Sequence, residues 1–280
     1  MSARRTDLLA PLLVAQAAGL TLATLLGPLV LDRVRYRTSA TTLNQLLGAD
    51  AATLAVVVPL ALVAAWLVGH GHPAGGPLAT GVGGYTVYTY AQLVIGQEYL
   101  RLPGNVERFF PLYLVVFVVA EAVTVLGCRR MPATIALPAR TRRLAGWVLV
   151  GVAAFLVIGL HLRTMLTAWS DPRSMTEYAS APTPFWMVKL MDLGIVVPLA
   201  LVAGIGLLRG SLAAARLAYP ILSAYVCLAA SVTAMALVML VHDDPDASWG
   251  LALGFGFFAV ALAGVVVTAY RPLFGADLPA

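Results

Sequence analysis

Apolar residues in this chain come in long blocks, not in the alternation of strands. The first block, Leu8–Leu31, has Pro11 near its start and Pro28 near its end. It follows Arg4 and Arg5 but exceeds the roughly 7–15-residue core of a cleaved signal, so it reads as a retained span. The next blocks are Ala51–Gly69, with Pro59 as an expected kink, and Leu78–Tyr99, entered through a turn rich in Gly and Pro. Five more follow: Phe109–Leu126, Leu144–Thr167, Phe185–Leu208, Leu217–Val241 and Trp249–Tyr270. Most reach the ~18–20 residues that cross a bilayer. The pattern predicts an all-α polytopic bundle of about eight transmembrane helices. Leu78–Tyr99 is the least apolar, and if it re-enters instead of crossing, the count is seven. Between the first two spans, the stretch TSATTLNQLL is expected as a short surface helix.

Composition sharpens this picture. Of 280 residues, 60% are hydrophobic and 11% charged, against ~25% charged in soluble domains. Mean hydropathy is +0.88. The chain has no room for a separate soluble domain, and its net charge of +5 is no sign of nucleic-acid binding. Basic residues in such a chain set orientation. Arg4, Arg5, Arg129, Arg130, Arg140, Arg142, Arg143, Arg209, Arg216 and Arg271 fall on the side of the termini. Arg33, Arg35, Arg37, Arg101, Arg108, Arg163, Arg173 and Lys189 fall on the other, with the acidic HDDPD loop. This places both termini in the cytoplasm of a plasma or inner membrane. The bias to Arg, Ala, Val and Gly suggests a GC-rich bacterial genome. Cys128 and Cys227 have no CxxC spacing, so neither a disulfide framework nor a zinc site is expected. Trp169, Tyr178 and Trp186 suit the bilayer interface.

The octapeptide VVPLALVA occurs at Val57–Ala64 and again at Val196–Ala203, an offset of 139 residues. Such short apolar matches are cheap in this composition. If the match reflects duplication, the chain is one domain made of parallel four-helix halves, 1–140 and 141–280.

Polar chemistry concentrates in Gly84–Leu114. On a helix, Tyr85, Tyr88, Gln92, Gly96 and Tyr99 share one face, which must turn inward because hydrocarbon cannot satisfy it. Glu98, Glu121, His161, Arg163, Lys189 and Asp192 are ionisable groups within spans, and each costs about 2.5–3.5 kcal/mol at a helix centre unless compensated. Tyr88, Gln92, Gln97, Glu98, His161, Arg163, Lys189 and Asp192 lie at one depth and form the candidate ligand pocket. Lys189, the only lysine, is expected inside the bundle against Asp192 first and Glu98 second; the bland reading has it and Arg163 reaching for the interface. Glu121 is either protonated or paired with another span. Gly250 and Gly254 are expected to pack within the bundle instead of forming a dimer. His70, His72 and the HDDPD loop read as solvated turns, with weak cation binding by the acidic loop as the alternative. Neither a metal nor a cofactor is expected.

DLGIVVPLALVAG and the tyrosine-rich span before a polar turn resemble an uncharacterised family of prokaryotic multi-pass membrane proteins. That resemblance implies a multi-pass fold and carries no activity. Three functions fit: a transporter-like or ligand-sensing protein with a polar pocket in the outer half; a membrane enzyme acting on a lipid headgroup; and a non-catalytic subunit of a membrane complex. For the enzyme, Glu98 or His161 would be the base and Arg163 or Lys189 the anion holder. Lipids and a small-molecule, ion or lipid ligand are the expected partners. The first reading requires a water-connected path from the pocket towards the cytoplasm, the second a lateral opening between spans at headgroup depth, and the third a closed, dry core.

Overall fold

The computed structural model describes residues 8–132 and 137–275. Arg4, Arg5 and part of the five-arginine loop lie outside that range. Among the described residues there is no strand, and eight long helices form the bundle: α1 Leu9–Leu26, α2 Ala40–Gly69, α3 Gly75–Ile95, α4 Val106–Arg129, α5 Ala139–Ser170, α6 Pro182–Leu208, α7 Leu212–Val241 and α8 Trp249–Gly275. Seven are long and apolar enough to cross a membrane; α3 is the least apolar of the eight. This is an all-α, multi-pass membrane protein.

The helices alternate in direction. On one face, here the upper, Asn105 bonds Arg33 and Arg35, and Thr41 bonds Asp244. On the lower face Gly76 packs against Arg130 and His72 stacks on Phe274. The start of α1 and the end of α8 therefore share the lower face.

Two boundaries differ from the sequence reading. TSATTLNQLL is no separate surface helix but the first turns of α2, whose N-cap Ser39 accepts a bond from the Thr42 N–H. The span therefore starts eleven residues earlier than its apolar core, and its polar first turns are held by protein. The HDDPD loop is no freely solvated turn either. Asp244 is buried and accepts bonds from Thr41 and from Asn44 at 2.8 Å, an acid set against the helix N-terminus.

Helix α3 explains its own low hydropathy. It sits in the centre, packed on α2, α4 and α7, and needs little lipid-facing surface. Its glycines permit this approach. A Cβ on Gly81 would stand 2.7 Å from the Pro220 carbonyl of α7, and one on Gly83 would stand 3.0 Å from the Ala120 carbonyl of α4. At 21 residues it is about 30 Å long, enough to cross rather than re-enter. It ends at Ile95, so Tyr99 leaves the expected polar stripe and bonds the Val94 carbonyl. Polar pairs tie the interior: Gln16 to Thr86 at 2.7 Å, Tyr85 to Ser231, and Ser223 to Tyr270.

Three helices contain π turns: Thr53–Val57 in α2, Phe155–His161 in α5 and Asp192–Val196 in α6. Those in α2 and α6 stand just before Pro59 and Pro198. A proline ring would clash with the carbonyl four residues earlier, and a widened turn relieves the clash. The two turns are 139 residues apart and run into the same octapeptide. The packed pairs α1–α2, α2–α3, α3–α4, α1–α4 and α2–α7 each have a counterpart four helices on, in α5–α6, α6–α7, α7–α8, α5–α8 and α6–α3.

Gly250 and Gly254 do not pack within the bundle: an added Cβ on Gly254 would meet nothing within 4 Å. Helix α8 seats itself through Ala252, Leu262, Val265, Ala269 and Tyr270 instead.

Candidate functional site

A cavity of about 240 Å³ occupies the upper half of the bundle, and every one of the eight helices contributes to its wall. Its walls are mainly apolar. Phe155 of α5 meets Phe258 and Phe255 of α8 with ring centroids 4.9 and 6.0 Å apart, closing the gap between these two helices. Thr42 and Gln45, half-buried in the first turns of α2, reach it from the upper face.

Two carboxylates line it. Asp192 opens the π turn of α6 and is saturated. It accepts one hydrogen bond from the Tyr88 hydroxyl of α3 and another from His161 Nε2 of α5, at 2.7 Å. His161 closes the π turn of α5, so widened turns set both members of the ion pair. Nearby, the Tyr225 hydroxyl bonds the Val196 carbonyl.

Asp50 of α2 is different. Its Oδ2 is shielded from solvent and has no hydrogen-bond partner among the described residues. Around it stand Thr24 of α1 and the phenols of Tyr36, Tyr90 and Tyr113. Tyr90 and Tyr113 meet edge to face at 5.8 Å, and the Tyr113 hydroxyl is also shielded and unpartnered. Tyr36 lies in the loop after α1; burial first, then the charge of Asp50, holds its phenol protonated well above the usual range. Gly27, at the end of α1, lets the carboxyl pack close to the backbone, since a Cβ on it would stand 3.1 Å from Asp50 Oδ2.

The sequence-derived candidates separate into groups. Tyr88, Gln92, Gln97 and Asp192 line the cavity, and His161 joins through Asp192. Gln92 presents an unpartnered Nε2, whereas both ends of the Gln97 amide are used, on Arg37 N–H and the Leu93 carbonyl. Glu98 is buried but serves as a cap. It accepts the Thr183 N–H at 2.7 Å, where α6 starts with Pro182 and its orphan donors need an acceptor. With Arg101 beside it at 3.6 Å, Glu98 is not placed to act as a base. Arg163 is exposed and does not line the cavity.

Lys189 is interior, as expected, but the expected ion pair is absent among the described residues. Its Nζ sits 3.2 Å from the centroid of the Phe185 ring and 3.5 Å from the Phe185 carbonyl. Asp192 and Glu98 take their hydrogen bonds from His161, Tyr88 and Thr183, and Asp192 acts on the lysine only by charge at a distance. Trp186 stacks on Trp169 and meets Tyr178 and Phe185 in an aromatic cap over this corner. Glu177, in the loop between α5 and α6, lies close enough for charge coupling to Lys189; burial pushes its carboxyl up, and Lys189 partly opposes this.

Glu121 has no partner from another span among the described residues. It is exposed on the outward stripe of Leu114, Val115, Val118 and Val125 in α4. His70 Nδ1 bonds the Trp66 carbonyl, and His72 Nδ1 accepts the Ala74 N–H while its ring meets Phe274. Both cysteines are free thiols, Cys128 exposed and Cys227 buried.

Asp50 is the residue that the sequence reading passed over. Placing the membrane entry at Ala51 left Asp50 in a loop; ten residues of α2 in fact precede it. The overlooked signal was Ser39 followed by helix-forming residues, an N-cap signature that starts the helix ahead of its apolar core.

Compared with protein families, curated proteins and solved structures, the chain matches none.

Proposed function

We propose that this is a ligand-binding membrane protein, of the transporter or sensor kind, that takes a small amphipathic molecule or lipid into its central cavity. The observation that carries this reading is the cavity itself. At about 240 Å³ it exceeds the ~150 Å³ of an engineered pocket that stays dry and binds benzene. A protein whose polar groups only locked helices together would have no use for such a space. Apolar walls with a few convergent polar groups are the usual build of a ligand site.

The enzyme reading is favoured by one feature, the Tyr88–Asp192–His161 chain. It is weakened by the engagement of Glu98 as a cap and by the exposed position of Arg163. The equal 139-residue spacing of the π turns and the paired helix packing support two parallel four-helix halves. The arginine distribution supports a cytoplasmic lower face.

Native mass spectrometry of the full chain, released from mild detergent, tests the ligand reading. Co-purifying adducts are expected on the wild type and should be lost from Val232→Trp, which fills the cavity wall. Equal adduct patterns on both proteins would overturn it.

A further inference from the structure

We propose that the Asp50 end of the cavity is a cation site: it receives the ammonium head of an amphipathic amine, whose apolar part lies toward the Phe155, Phe255 and Phe258 wall. This deepens the ligand-binding reading and rests on it.

A buried carboxylate oxygen without a hydrogen-bond donor is costly, and native interiors avoid it. Asp50 Oδ2 and the Tyr113 hydroxyl are both shielded and neither meets a partner at hydrogen-bond geometry, although the Thr24 hydroxyl acts on Asp50 and the Tyr36 hydroxyl on Tyr113 from nearby; both line the same cavity. A ligand carrying N–H donors would satisfy them together. The surrounding rings add a second preference, because the negative faces of Tyr36, Tyr90 and Tyr113 attract a cation.

The alternatives fit worse. No lysine or arginine is among the described residues lining the cavity, so an anionic head would meet two carboxylates and no counter-charge. Among the described residues no group of three His, Cys, Asp or Glu is placed to hold a metal ion, so a metal would find too few ligands here. A neutral alcohol could donate one bond but brings no charge that would favour the ionised carboxylate.

The second carboxylate serves as an internal control. Asp192 lines the same cavity with both oxygens engaged by Tyr88 and His161, so it offers a cation far less.

The test is titration calorimetry of the full chain in one detergent with decylammonium, decanol and decanoate. Comparing proteins in the same micelle cancels partitioning. Decylammonium is expected to bind tightest. Asp50→Asn should weaken it by about ten- to hundredfold, the range for losing a hydrogen bond to a charged group, and leave decanol nearly unchanged. Tyr113→Phe, which keeps the ring and removes the acceptor, should weaken decylammonium by a few-fold and keeps the test open should Asp50→Asn fail to fold. Unchanged decylammonium affinity in the folded variants, or decanoate binding as tightly, would overturn the cation site. Binding of all three without preference sinks the cation site but spares the ligand-binding reading, whereas binding of none overturns both.

Discussion

Asp192 and Asp50 line one cavity in one bundle, and they are built differently. Asp192 stands where two π turns meet and receives a tyrosine hydroxyl and a histidine nitrogen. Asp50 stands on the last α-helical turn before the π turn of α2, among phenols, with an oxygen that meets no donor at hydrogen-bond geometry among the described residues. A carboxylate with all its partners is part of the frame. One without them is a place for something else. Asp192 is buried and Asp50 half-buried, but the sharper difference lies in their hydrogen bonds.

The contrast can be broken most forcefully at Asp192. Asp192→Ala leaves His161 and the Tyr88 hydroxyl unpartnered in the interior, and should cost about 3–5 kcal/mol, read as a large fall in detergent melting temperature. Melting like the wild type would erase the distinction between the two sites. Lys189→Met comes next. Because the lysine rests on the Phe185 ring and not in an ion pair, the loss should be only about 1–2 kcal/mol. A loss as large as that of Asp192→Ala would reveal a carboxylate partner after all.

Asp50→Asn should shift stability by no more than about 1 kcal/mol, since it abandons no hydrogen-bond partner at Oδ2. Chemical denaturation of Asp50→Asn beside Asp192→Ala would sharpen the comparison directly. The smallest effect concerns Glu177. Burial raises its carboxyl pKa in the folded state, so the folded protein holds that proton more tightly than the unfolded chain does. Its contribution is therefore greatest below the unfolded value and is lost as pH rises through the folded one. Glu177→Gln should flatten this part of a melting-versus-pH curve, and an unchanged slope would show that the carboxyl is not desolvated.

Much of the architecture was legible in the residues. The spans, their alternation and the inward polar face of α3 follow from apolar run length and helical periodicity, which are local properties. Of the site, Tyr88, Gln92, Gln97 and Asp192 were legible because a polar group at membrane depth is expensive wherever it lies. Glu98 and Arg163 show where that logic fails. The same cost can be met by capping a neighbouring helix or by lying exposed, and composition does not tell these from a pocket. Asp50 failed in the opposite direction, because the polar first turns of α2 hid the depth at which it sits.

The sequence by itself determined that this chain lives in a membrane as a bundle of helices, since lipid leaves the backbone no other way to satisfy its polar groups. It also supplied the prolines that widen α2 and α6. Only the tertiary structure decided which carboxylate met its partners. Tyr88 lies 104 residues from Asp192, and His161 lies 31 residues away on another helix. Such meetings depend on crossing geometry and on the glycines that let α3 reach the centre, and no local pattern encodes them.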